Sequence, residues 1–327
     1  MTTLDKYLDL KVRELVSPVV RKISAEEQER HRIYCLLLLS MVAYQFCATK
    51  AGDIADRARP ERKDPNDPHA PEPKKNALLP PSHWASTRGR FLENDYLGHN
   101  IAAFAVDRDG FIIDFDFNHN EVFNSSVEHA EARLLNRLFK LTNIHDSWDV
   151  GDQQEGDLNK PPVKYGNVLE GVTIYTSLES CAQCSGIMTL GNVKDVIYLQ
   201  EDPGQYKIGN IMYNLTAPSD SKRKHQAPLP ISADQLGFPY FEKLNRAYEE
   251  YVETQKDYGL TSFLCTAPAY RIFLEAEEEL SRFSVIHRDW RMPSSAGDSK
   301  LTNEGVLKEC LSFYRYVVRN GRRGTPH

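Results

Sequence analysis

Between Ile101 and Phe117 two short apolar runs, IAAFAVD and FIIDFDF, are separated only by Arg108-Asp109-Gly110. An Asp-Gly pair between β-prone runs is a strong hairpin signal, because tight hairpin turns need backbone conformations that glycine and aspartate tolerate. The second run alternates, with Phe111, Ile113, Phe115 and Phe117 on one face and Asp114 and Asp116 on the other. The chain must therefore build a sheet with an apolar face to cover. A helical run from Val127 to about Leu141 follows, with Leu134, Leu135, Leu138 and Phe139 at helical spacing. After the polar loop from His145 to Asn167 come a strand, GVTIYTSLES, a helix, CAQCSGIMTLGNV, and another strand, DVIYLQED. The order β-β-α-β-α-β predicts an α/β sheet covered by helices.

The flanks differ in character. Residues 1–50 read as two helices, with Pro18 interrupting the first. The run from Ile33 to Ala48 has sixteen residues, short of the about 20 needed to span a bilayer. It is read as a buried helix with Ser24 and Glu27 as its capping box, and His31 with Cys35 as a core pair. Arg57 to Trp84 carries seven prolines among many charges, so residues 51–90 are expected to form a linker or a surface excursion. From 217 onward the chain reads as helical, with candidates at Ser232 to Tyr258, Thr266 to Phe283 and Thr302 to Arg319.

The formal net charge of −6 argues against a surface built wholly for polyanions. The six cysteines, Cys35, Cys47, Cys181, Cys184, Cys265 and Cys310, are sparse for 327 residues, so no disulfide framework is expected. The first twenty residues lack the continuous apolar core of a secretory signal. A cytoplasmic protein with no membrane association is expected.

Two short motifs carry chemistry. Cys181-Ala182-Gln183-Cys184 taken alone is a redox pair, half of a metal site, or two small core residues. His129-Ala130-Glu131 taken alone is the polar shoulder of a helix. Together, one histidine and two cysteines supply three ligands to a tetrahedral zinc and leave its fourth position to water. Cysteines three apart share a helix face, and a helix N-terminus favours thiolates; Ser180 is a suitable cap. His129 and Glu131 would lie about 200° apart in mid-helix. At a helix start capped by Ser126, both can reach one point beyond the helix end.

Over about residues 98 to 216 these motifs, with the strand TIYTSLESC between them, resemble the zinc-dependent cytidine/adenosine deaminase superfamily and its H-x-E and P-C-x-x-C signature. TIYTSLESCAQCSGIM looks closest to the T-L-E-P-C-x-M-C branch, which includes tRNA adenosine, guanine and deoxycytidylate deaminases. Ser180 stands where that branch has proline, Gln183 where methionine is common, and the loop before the cysteine strand is longer. The resemblance implies a three-layer α/β/α mixed sheet over residues 91–216, with N- and C-terminal helical extensions. It implies zinc on His129, Cys181 and Cys184, Glu131 as the proton shuttle, and no organic cofactor. Asn118, Asn120, Ala130 and Ser180 are the substrate-binding candidates, and His119 is read as a surface residue or one behind the site. The segment EDPGQYKIGNIMYNL from Glu201 resembles the D-x-K-x-G-A-x-G stretch of the tRNA adenosine deaminases, which passes near the pocket; its glycines, Gly204 and Gly209, also read as plain turn formers.

The implied reaction replaces the exocyclic amine of an aminated nucleobase, nucleoside or nucleotide with oxygen and releases ammonia. Two alternatives stay open: a base flipped out of RNA or single-stranded DNA, with SKRKH at 221 and RNGRR at 319 as phosphate contacts, and a catalytically silent zinc scaffold that binds partners. A homodimer is also compatible. The division of the chain makes a prediction of its own: limited proteolysis should cut first between Arg57 and Trp84. First cuts mapped by mass to residues 101–141 would overturn it.

Overall fold

The computed structural model describes residues 11–49, 99–120, 125–144, 169–217, 225–254, 259–294 and 297–320. The Pro-rich segment and the loop 145–167 lie outside the described residues, as do most of the two basic clusters. The elements in chain order are α1 (Val12–Val16), α2 (Ala25–Thr49), β1 (Ala102–Val106), β2 (Ile112–Phe117), α3 (Ala130–Ile144), β3 (Thr173–Thr176), α4 (Ala182–Leu190), β4 (Asp195–Tyr198), α5 (Ile208–Thr216), β5 (Leu229–Ser232), α6 (Pro239–Thr254), α7 (Leu260–Phe263), α8 (Ala267–Arg282) and α9 (Asn303–Asn320).

The strands form one mixed sheet in the order β2-β1-β3-β4-β5. β1 is antiparallel to β2 and β3, and β3, β4 and β5 run parallel. Helix α3 packs on β1, β2 and β3, with α4 beside it and α5 against β5. On the other face α2 packs on β1 and β3, enclosed by α8 and α9. The result is the expected three-layer α/β/α arrangement. The fifth strand comes from a stretch read as the approach to a helix: Leu229–Ser232 is short and begins LPIS, too brief to show a period.

The hairpin forms where the Asp-Gly pair places it. Gly110 adopts φ 98°, open to glycine at little cost. The Asp107 carboxylate accepts from the Asp109 and Phe111 amides, both at 2.9 Å. One detail differs from a plain alternation. Ala105 pairs with Asp114 but Val106 pairs with Ile112, so Ile113 is an extra residue on β2, a bulge. Ile112 is buried in its place. Asp114 and Asp116 do share a face, yet that face is covered by α3, and both carboxylates are fully buried. They are paired there with Arg137 at 3.0 Å and Arg133 at 3.2 Å. Burial pushes the Asp116 carboxyl up to about 6 against the pull of Arg133.

Helix α2 carries apolar residues on every side, and Ile33, Leu36, Leu37, Leu38, Leu39 and Phe46 are all fully buried, the signature of a helix enclosed by protein. Its Ser24 cap is present, with the Glu27 amide donating to Oγ at 3.2 Å; the Glu27 carboxylate turns instead to Arg21 and His31. Tyr34 lies tilted against Phe104 and Tyr175, whose own rings stack 5.0 Å apart. Tyr34 also donates to the Gly110 carbonyl at 2.6 Å. No described helix is long and apolar enough to cross a membrane.

In the C-terminal region the first expected helix is divided. A 3₁₀ turn at Ala233–Leu236 ends at Gly237 with φ 65°, and α6 restarts at Pro239, a residue suited to a first helical turn. Thr266 caps α8 by accepting from the Ala269 amide.

His31 joins α2 to the sheet through Nδ1, 2.7 Å from the Tyr175 hydroxyl, with both residues buried. Burial pushes the His31 pKa down, so the ring is held neutral. Tyr175→Phe should cost about 1–3 kcal/mol by leaving the imidazole nitrogen unsatisfied. Urea denaturation checks this, and a loss below about 0.5 kcal/mol would show the bond to be dispensable.

Candidate metal and catalytic site

The two motifs meet at the end of the sheet where β3 stops. β3 leads through Ser177 to Glu179 into the turn before α4, and the chain is still extended at Cys181, with φ −72° and ψ 173°. Cys181 therefore occupies the N-cap position expected for Ser180, and Cys184 falls in the first turn on the same side. Their sulfurs lie 3.5 Å apart. α3 begins at Ala130, so His129 takes the capping position expected for Ser126, which sits in the preceding turn.

His129 Nδ1 stands 3.3 Å from Cys181 Sγ and 3.7 Å from Cys184 Sγ. Among the described residues these three side chains form the group able to hold a metal ion, with ligand atoms all within 4.8 Å of one another. A tetrahedral zinc with bonds of about 2.3 Å to sulfur and about 2.05 Å to nitrogen requires edges near ~3.8 Å for S···S and ~3.6 Å for S···N. The observed edges match to within about 0.3 Å.

Protons are shared unevenly over the three groups. The Cys181 thiol is lowered to about 4, chiefly by its hydrogen bond with Cys184 and also by His129. Cys184 is pushed well up by sharing a proton with Cys181 and by burial. Of the pair, the half-exposed sulfur thus carries the first negative charge. His129 is raised, mainly by its hydrogen bond with Cys181. Two sulfurs and an imidazole at these separations fit a zinc ion.

Glu131 lies beside this group without belonging to it. It is buried. Oε1 accepts from Thr176 Oγ1 at 3.0 Å and Ser180 Oγ at 3.3 Å, and Oε2 lies 3.5 Å from Cys184 Sγ. Burial is the main cause that pushes its carboxyl above the ordinary range. The hydroxyl of Ser180, free of capping duty, thus orients the carboxylate.

The remaining candidates are placed as follows. Asn118 is buried, and its Oδ1 accepts from the Ala130 amide at 2.6 Å, which commits that amide. Asn120 is half-buried, and its carboxamide oxygen is enclosed without a hydrogen bond. His119 is buried behind the site, with Nδ1 2.7 Å from the Phe117 carbonyl. His31 and Cys35 sit in the core, while the side chain of Cys47 lies outside the described residues. Cys265 and Cys310 are buried away from the site, and Asn100 donates to Cys265 Sγ at 3.5 Å.

Several contributors carried no motif. Thr176 reaches Glu131 because alternation on β3 turns its hydroxyl toward α3; the same alternation sends Tyr175 to α2. Gln183 donates to the Val127 carbonyl at 3.0 Å and so ties the cysteine turn to the histidine loop. Glu179 accepts from the Asp202 amide at 3.1 Å and pairs with Lys207 at 3.7 Å. These contacts hold the EDPGQYKIGN segment against the site. Asp202 is raised by burial and also by the nearby Cys181 charge.

No protein-family model matches the chain, and no curated protein matches it. Solved structures do. One, from a study of A-to-I editing by tRNA:A34 deaminases at the wobble position of transfer RNA, is 19% identical over 46% of this chain and 97% of its own, with a TM-score of 0.28. The guanine deaminase from Nitrosomonas europaea is 17% identical over 50% of this chain and 84% of its own, with a TM-score of 0.27. A complex with 2,6-diaminopurine is 16% identical over 63% of this chain and 82% of its own, again with a TM-score of 0.27. Likenesses this distant leave the activity to be read from the site itself.

Purified protein is expected to carry about one zinc per chain. Cys181→Ser and Cys184→Ser should lose it, whereas Cys35→Ser, Cys265→Ser and Cys310→Ser should keep it. Elemental analysis checks this, and full zinc in the Cys181 variant would remove that residue from the ligand set.

Proposed function

We propose that this protein is a zinc-dependent hydrolytic deaminase acting on an aminated nucleobase, nucleoside or nucleotide. The observation that carries the reading is the buried Glu131 carboxylate, held by two hydroxyls beside the His129, Cys181 and Cys184 ligand atoms but outside their set. A purely structural zinc site has no use for it.

His129, Cys181 and Cys184 would hold the ion. Bound there, zinc supplies a Lewis acid that brings the pKa of a water toward neutrality. Glu131 accepts the proton from the attacking water and passes it to the ring nitrogen of the substrate. The same carboxyl then takes the proton of the hydroxyl newly bonded to the ring carbon and delivers it to the amine, so that the C–N bond breaks, ammonia leaves and the ring keeps a carbonyl oxygen. A carboxyl raised by burial suits this double duty, because an acid–base catalyst works best with a pKa near the working pH. Thr176 and Ser180 hold Oε1, which leaves Oε2 directed at the ligand cluster.

Asn118, Asn120, Ala130 and Ser180 are proposed to shape the substrate pocket. A free small molecule is favoured over a base in nucleic acid by the net charge of −6, since polyanion binding rests on phosphate neutralisation. A screen of aminated bases, nucleosides, nucleotides and oligonucleotides, read by ammonia release and product mass, tests this choice.

Glu131→Gln separates enzyme from scaffold. The variant should keep its zinc and its melting temperature and lose activity by about 10³–10⁴-fold, the upper part of the range for general acid–base catalysis. Turnover within about tenfold of the parent would remove Glu131 from the proton path. A parent that processes no aminated substrate would favour the partner-binding scaffold.

A further inference from the structure

Three anchors fix the run Glu128-His129-Ala130 that delivers the histidine. The His119 amide donates to the Glu128 carbonyl at 2.9 Å. The Ala130 amide donates to Asn118 Oδ1 at 2.6 Å. The third anchor is Arg133, whose amide donates to the His129 carbonyl at 3.0 Å. Its guanidinium bridges two carboxylates: Nε to Asp116 Oδ1 at 3.2 Å and Nη1 to Glu128 Oε2.

The burial of these groups is graded. The Asp116 side chain is 0% exposed, that of Arg133 8% and that of Glu128 27%. Asp116 belongs to β2, whose bulge lies at the far end of the strand, so it is a rigid post. Arg133 reaches from that post across the first turn of α3 to the residue immediately before His129. A planar guanidinium can serve two carboxylates at once in fixed directions, which a lysine ammonium on a flexible stem cannot.

We infer that Arg133, braced on Asp116 and gripping Glu128, is a positioning residue that sets the orientation of His129 toward the metal. This deepens the zinc reading above and rests on it. The two sulfurs are held by the α4 turn, but the imidazole arrives on a loop across the site, following residues 121–124 outside the description. The tetrahedral edges survive only if that loop is held to within about 0.5 Å. Hydrogen-bonded partners behind a ligand typically contribute 10–100-fold to metal affinity.

The test uses full-length protein stripped of metal and titrated with zinc against a chromogenic chelator, with a melting curve of each metal-free variant. Glu128 is the informative position, because its partly exposed side chain can be changed without leaving a buried charge alone. Glu128→Ala should weaken zinc by about 10–100-fold with an unchanged metal-free melting temperature. Glu128→Gln, which keeps an acceptor for Nη1, should recover most of the affinity. Arg133→Lys should weaken zinc about as much as Glu128→Ala.

Parental zinc affinity in both Glu128→Ala and Arg133→Lys would overturn the inference while leaving the metal site intact. A lowered metal-free melting temperature with unchanged zinc affinity would also overturn it, by assigning the network to stability alone. If the parent chain binds no zinc, the metal reading and this inference fall together.

Discussion

The fold is governed by a helix that cannot face water on any side. From Ile33 to Phe46 α2 is apolar around its whole circumference, so burial of one face leaves the others to be covered. The sheet covers one side through Phe104 and Tyr175, and α8 and α9 cover the rest. Fully burying a side chain such as leucine contributes about 1.5–3 kcal/mol, and α2 buries many of them. The cover is accordingly not decorative. Polar contacts then set the helix in register: His31 to Tyr175, Tyr34 to the Gly110 carbonyl, and Arg30 to the Leu301 carbonyl at 3.0 Å.

The opposite face of the sheet follows a different logic. There the strands present Asp114, Asp116 and Thr176, and the covering helix answers with Arg137, Arg133 and Glu131. Buried ion pairs are seldom a net source of stability, because desolvation offsets their attraction. What they supply is direction. Apolar contacts on the α2 side tolerate small shifts, whereas the polar contacts under α3 fix where one carboxylate and one imidazole point. The two faces divide between them the work of holding the chain together and of aiming its reactive groups.

Much of this was legible in residues alone. The Asp-Gly turn, the alternating strands and the histidine and cysteine motifs each have a local physical cause, so they survive without tertiary information. The failures were equally physical. Ser180 and Ser126 have the composition of caps, yet the positions next to the helices are held by Cys181 and His129, and the Ser180 hydroxyl turns to Glu131 instead. The bulge at Ile113 depends on the partner strand and leaves no trace in the period of β2. That Asp114 and Asp116 would be buried against Arg137 and Arg133 is not announced by anything in their own segment. β5 is four residues long, too short for periodicity. Thr176, Gln183 and Arg133 matter through what they touch, and no motif encodes that.

The hydrogen bond from Arg30 to Leu301 joins residues 271 positions apart. At about 5–20 residues per second, synthesis of the intervening chain takes roughly 15–50 s. For that interval α2 has left the ribosome while its final cover does not yet exist. Non-local contacts of this kind slow folding, and exposed apolar surface during the delay invites aggregation. The most buried helix of the finished protein is thus the most exposed liability of the nascent one, from its emergence until α8 and α9 follow it.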